Sequence, residues 1–126
     1  MSSYEEVHAF CCRLLDGGYP RIHNTIREYQ ELYTTINVNM FTKDNFDKLF
    51  QSICTDVFAR RDYSKPYVIA LLGFAIHINR RLEQSCMWYT RDLLVRVVTD
   101  VLVAINFKPC KVVSRCSTFY YLCCIL

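Results

Sequence analysis

The chain is poor in turn formers, with three glycines and three prolines in 126 residues. A β-sandwich or barrel needs a turn signal about every ten residues, so this scarcity excludes those folds and favours a few long helices. It also lacks a membrane-length apolar run. The uncharged centre of the middle segment, Val68 to Ile78, falls well short of the ~20 residues a bilayer helix needs. Adjacent basic residues occur only as Arg60-Arg61 and Arg80-Arg81, and the net charge is just +3. There is no cationic stripe with interleaved aromatics, so nucleic acid is not expected as a partner. No G-x-G-x-x-G, Walker loop or H-E-x-x-H occurs. No single thiol stands out as a nucleophile, so the chain is not expected to be an enzyme or to carry a cofactor. The opening "MSSYEEVHAF" has acids where a signal peptide carries bases, and the protein is expected to be intracellular.

Apolar residues make up 52% of the chain against 21% charged, which is enough for a packed core and argues against disorder. One domain over residues 1–126 is expected. The eight cysteines (Cys11, Cys12, Cys54, Cys86, Cys110, Cys116, Cys123 and Cys124) form no C-x-x-C pair, and the three histidines (His8, His23 and His77) are read as lying far from them in sequence. They are expected to be reduced thiols acting as small buried hydrophobes, with no metal site.

Helical periodicity runs through the chain. Ser2 or Ser3 caps a first helix with acids in its first turn and a stripe of Val7, Phe10, Cys11 and Leu14; Gly17-Gly18 closes it. A second helix follows Pro20, with Ile22, Ile26, Tyr29 and Tyr33 on one face. Asn37 to Asn39 reads as a break, and Thr42 with Asn45 offers caps. Phe46, Phe50, Ile53, Cys54, Val57 and Phe58 mark a helix to about Arg60. The next helix, about Pro66 to Leu82, begins with proline in its first turn and is apolar all the way round, the pattern of burial on every side. A helix from Cys86 to about Asn106 is amphipathic. Leu94, Val97, Val98, Val101, Leu102 and Ile105 line one face, while Asp92, Arg96 and Asp100 are spaced for surface pairs. Phe107-Lys108-Pro109 ends it, and a short helix near Cys110 to Arg115 and an apolar tail follow. The predicted architecture is all-α: amphipathic helices wrapped around a buried central one.

These residues, in this order, resemble the Bcl-2 family of apoptosis regulators. "EEVHAFCCRLLDGGY" is similar to the family's first helix, closed by a Gly-Tyr turn. "IHNTIREYQELY" keeps the four-hydrophobe spacing of the family's death motif, homology region three, with Glu31 where aspartate is usual and Gln30 where a small residue is usual. "FQSICTDVFARRDYSKPYVIALLGFA" resembles homology region one and the start of the central helix. "LVAINFKP" matches homology region two poorly, lacking its paired glycines and tryptophan. The small size and worn motifs look most like a virus-encoded, pro-survival member.

The resemblance implies a Bcl-2-like bundle that sequesters pro-apoptotic death-motif helices of a host in an apolar surface groove. By position, Tyr33, Met40 and Phe41 would form one wall, and Ile53 and Val57 the other. Val68, Ala70 and Phe74 would supply floor or core. The family's Asn-Trp-Gly-Arg signature is replaced by Ser64-Lys65-Pro66-Tyr67, so the arginine that pairs with the partner's aspartate is missing. Losing a desolvated charge pair costs about 2–5 kcal/mol. A narrowed partner range is therefore expected, with Arg60, Arg61 or Lys65 as substitute cations beside Tyr67.

Two other roles are consistent with the fold: blocking innate immune signalling through a different surface, and promoting death by perforating membranes. Gln30 and Glu31 count against the second. A filled groove would favour the first. An open groove would be covered by a partner, by the tail or by a second copy in a homodimer. The implied location is host cytoplasm, with association at mitochondrial or other intracellular membranes. No spanning segment is expected, since the tail "STFYYLCCIL" is too short. Its end, Cys123-Cys124-Ile125-Leu126, fits a prenylation pattern, with Cys124 as a palmitoylation site; packing of the tail against the body is the alternative.

Overall fold

The computed structural model describes residues 4–58 and 67–109, the side chain of Thr25 excepted. Among the described residues all regular structure is helical: α1 (Tyr4–Leu15), α2 (Pro20–Glu28), α3 (Gln30–Thr34), a 3₁₀ turn (Val38–Met40), α4 (Phe46–Ile53), a π turn (Cys54–Phe58), α5 (Tyr67–Ser85) and α6 (Arg91–Ala104).

α1 buries the predicted stripe of Val7, Phe10, Cys11 and Leu14. It ends in a Schellman motif: Gly18 N–H donates to the Arg13 carbonyl at 2.9 Å and Gly17 N–H to that of Leu14 at 3.2 Å. Gly17 holds the left-handed φ of 86° that the motif needs. The same device closes α6. Asn106 takes φ 59°, its N–H donates to Val103, and Phe107 N–H donates to Leu102 at 2.9 Å. Phe107 is thereby turned back into the core, its ring 5.1 Å from that of Phe10.

The helix expected after Pro20 is two helices. The chain breaks at Tyr29 (φ −103°, ψ 13°), which lets both Tyr29 and Tyr33 turn inward. The asparagine break becomes the 3₁₀ turn, where the Asn37 side chain accepts from Asn39 N–H at 3.0 Å. Thr42 and Asn45 cap reciprocally: Thr42 N–H donates to Asn45 Oδ1 at 2.7 Å and Asn45 N–H to Thr42 Oγ1 at 3.2 Å. The helix that follows loses α geometry at Cys54 and continues as the π turn. That widening rotates both Cys54 and Phe58 into the interior.

α5 is the centre of the bundle. Every residue from Ile69 to Asn79 is buried, and so is Leu82. At 1.5 Å per residue its 19 residues span about 28 Å, and no described helix is long and apolar enough to cross a membrane. It runs one turn past the expected end at Leu82. α2 packs along it, and α1, α6, the π turn and the 3₁₀ turn meet it from other sides. The amphipathic helix expected from Cys86 begins only at Arg91, because Thr90 is extended (φ −127°, ψ 149°). Its buried face is the predicted one with Val95 and Thr99 added, except that Ile105, just past the helix end, is exposed. Thr99 meets its own need by donating to the Val95 carbonyl at 2.6 Å. Arg96 and Asp100 are exposed; an ion pair instead joins Arg91 to Asp16, tying the start of α6 to the end of α1.

Ser2, Ser3, Pro66 and the segment from Cys110 onward lie outside the described residues, as do the expectations placed on them.

Candidate helix-binding groove

The residues assigned to the groove come together, but mostly as core. Tyr33 is fully buried. Its hydroxyl donates to the Ala70 carbonyl at 2.7 Å, and its ring lies 5.5 Å from His77, 5.7 Å from Phe74 and 6.2 Å from Phe58. Ala70 and Phe74 are sealed beneath it. Phe41 is buried against Phe46, with ring centres 5.1 Å apart, and Ile53 is buried as well.

The expectation of groove walls is therefore corrected for Tyr33, Phe41 and Ile53, and Ala70 and Phe74 are core rather than an accessible floor. The physical reason is the break at Tyr29. It turns α3 onto α5, and the Tyr33 side chain is buried there as core. Of the assigned residues, those that reach solvent are Met40, 52% exposed, and half-buried Val57, Tyr67 and Val68. Arg60 and Lys65, the proposed substitute cations, lie outside the described residues, as do Cys123 and Cys124.

Tyr67 stands at the start of α5. Its phenol is raised above the ordinary tyrosine range, first by burial and then by the neighbouring Cys54 thiol. It is a neutral hydrogen-bond donor, which cannot replace the charge of an arginine.

Three polar sites were not foreseen in the sequence. His77 is buried beside Tyr33 and Phe74. Its imidazole is held below the ordinary histidine range by burial first, then by Arg81 and Arg80. His23 links three helices: its Nε2 lies 3.2 Å from the Leu14 carbonyl and its Nδ1 3.0 Å from an Arg80 guanidinium nitrogen. With the proton on Nε2, the ring donates to the end of α1 and accepts from α5. The third is on α1, where Cys12 Sγ lies 3.8 Å from His8 Nδ1. This corrects the reading that the histidines lie far from the cysteines: His8 and Cys12 are four residues apart, one helical turn, a spacing visible in the sequence. Among the described residues no three histidine, cysteine or carboxylate side chains gather as a metal site. Cys11 and Cys54 are buried, and burial pushes both thiols up, Cys11 to about 12.

Comparison of the chain with protein-family models, with curated proteins and with solved structures found no match.

Proposed function

We propose that this chain is a Bcl-2-like bundle that sequesters pro-apoptotic death-motif helices and so blocks cell death. One observation carries the reading: a central helix buried without interruption from Ile69 to Asn79 and surrounded by amphipathic helices, in the order the resemblance implies. The groove of this reading is closed at rest, and α3 is the element that must yield. α3 has five residues and no side-chain cap at its N-terminus. A helix that short is marginal on its own, so α3 is held by its tertiary contacts, the Tyr33 hydrogen bond to Ala70 among them, and yields when those are exchanged for a partner's. An incoming amphipathic helix would then meet Phe58, Phe74 and Ala70 below a rim of Met40, Val57 and Tyr67.

The test is titration of the full chain with a panel of death-motif peptides, followed by Val57→Glu. Val57 is half-buried at the rim, so the charge should abolish binding while the helical circular-dichroism signal is kept. Equal affinity in variant and wild type removes the groove assignment.

A second reading has its own observation. Tyr33 fills the groove and is hydrogen-bonded there, which favours a protein of the same fold that blocks innate immune signalling through another surface. Absence of peptide binding across the whole panel selects it.

A further inference from the structure

We propose that His8 and Cys12 form a thiol–imidazole pair that makes Cys12 a site of S-thiolation by small-molecule disulfides. The fold sorts the four described thiols into different environments. Cys11 and Cys54 are buried, and burial holds their protons on. Cys86 is half-buried, with its sulfur 3.8 Å from the Ser85 hydroxyl, a group that is no base at neutral pH. Cys12 is also half-buried, but its sulfur lies 3.8 Å from His8 Nδ1. It is the described thiol with both a route to solvent and a base within reach.

Helix geometry makes the pair durable. Positions i and i+4 sit one above the other on a helix face, and long side chains lean toward the N-terminus, so Cys12 leans toward His8. On the far side, the Tyr4 ring stacks against His8 with centres 6.2 Å apart and planes at 30°. Three residues at spacing four therefore hold the imidazole between a ring and a thiol. His8 is exposed, so its other nitrogen can exchange protons with water.

The chemistry balances within the pair and the disulfide. With its proton on Nε2, His8 accepts the Cys12 proton at Nδ1. The thiolate attacks one sulfur of the incoming disulfide, a new S–S bond forms at Cys12 and the old one breaks. The departing thiolate takes the proton back from His8. The disulfide is the oxidant, and one molecule of free thiol is released for each chain modified.

The experiment uses the reduced full chain and glutathione disulfide as probe, with peptide fragmentation by mass spectrometry resolving each cysteine over time. Cys12 should be modified on the order of tenfold or more faster than Cys11 and Cys54. His8→Ala should slow Cys12 on the order of tenfold or more and leave Cys86 unchanged, because the group that takes the thiol proton is gone. His8 is exposed, so the variant should keep its circular-dichroism spectrum; His8→Gln serves as a second variant. Modification of Cys86 as fast as Cys12, or a Cys12 rate indifferent to both His8 variants, overturns the proposal.

Discussion

The Tyr33 hydroxyl donates to the Ala70 carbonyl at 2.7 Å, joining α3 to the start of α5 across 37 residues of sequence. Tyr33→Phe removes this bond and keeps the ring contacts with Phe58, Phe74 and His77. A neutral hydrogen bond of this kind contributes about 0.5–1.5 kcal/mol net, so a loss of that size is expected in urea denaturation. If α3 is the gate of the groove, the same variant should bind death-motif peptides more tightly than wild type, because less is lost on opening. An unchanged peptide affinity together with the expected stability loss would mean that α3 does not move when the partner binds.

The two Schellman closures respond differently to substitution. A Cβ at Gly18 would lie 2.4 Å from Arg13 Cγ and 2.9 Å from the Arg13 carbonyl oxygen. The side chain can swing away, but the carbonyl is the acceptor of Gly18's own N–H. Gly18→Ala is expected to cost about 1–3 kcal/mol, the range of overpacking. At the end of α6, Asn106 occupies the left-handed position with φ 59°. Asn106→Gly relieves that residue and should be neutral to slightly stabilising, by a few tenths of a kcal/mol. Asn106→Val should destabilise, since a β-branched residue resists positive φ. Thermal melts of the three variants check the order.

Much of the bundle was legible because burial leaves a periodic trace. Val7, Phe10, Cys11 and Leu14 recur at helical spacing, and the stretch around Leu71 to Ile76 has no polar side. The break at Tyr29 left no such trace. Ile22, Ile26, Tyr29 and Tyr33 keep helical spacing whether the helix is continuous or not, and no glycine or proline marks the interruption. That one break turns Tyr33 into the core, so the candidate site was less legible than the fold. The start of α6 was misplaced for a similar reason. Cys86, Met87, Trp88 and Tyr89 read as helical material, while the extended Thr90 is a backbone choice that residue type alone does not dictate.

His77 gives the fold a pH dependence. Its imidazole is held below the ordinary value of 6.5 by burial, Arg81 and Arg80. As pH falls through 6.5 the unfolded chain takes up a proton and the folded chain does not, so the unfolded state binds more protons and stability falls. The loss starts near pH 6.5 and continues down to the folded value. His77→Gln removes the titration, and its stability should change less between pH 7.5 and 5.5 than that of wild type. Identical slopes in the two proteins would assign the acid sensitivity to other groups.

A buried polar pair ties the turn between α5 and α6 to α5. Tyr89 and Asn79 are both buried, and the Tyr89 hydroxyl donates to Asn79 Oδ1 at 2.7 Å. Burial, followed by the charge of Glu83, raises the phenol well above its usual range, so it remains a donor at neutral pH. The Tyr89 ring also lies 5.9 Å from Phe46, so the turn is fastened both to α5 and to α4. Tyr89→Phe keeps the ring but leaves the Asn79 oxygen without that donor, which should cost about 1–3 kcal/mol. Asn79→Leu strands the hydroxyl instead and should cost a similar amount. The double variant removes both polar partners, and a matched apolar pair can be nearly neutral. Its loss should therefore be clearly smaller than the sum of the single losses. A double-mutant cycle by urea denaturation measures the difference, with a coupling of about 0.5–3 kcal/mol expected for groups in contact. Additive losses would mean that the two side chains find other partners when separated, and that the turn is held by the packing of Tyr89 on Phe46 alone.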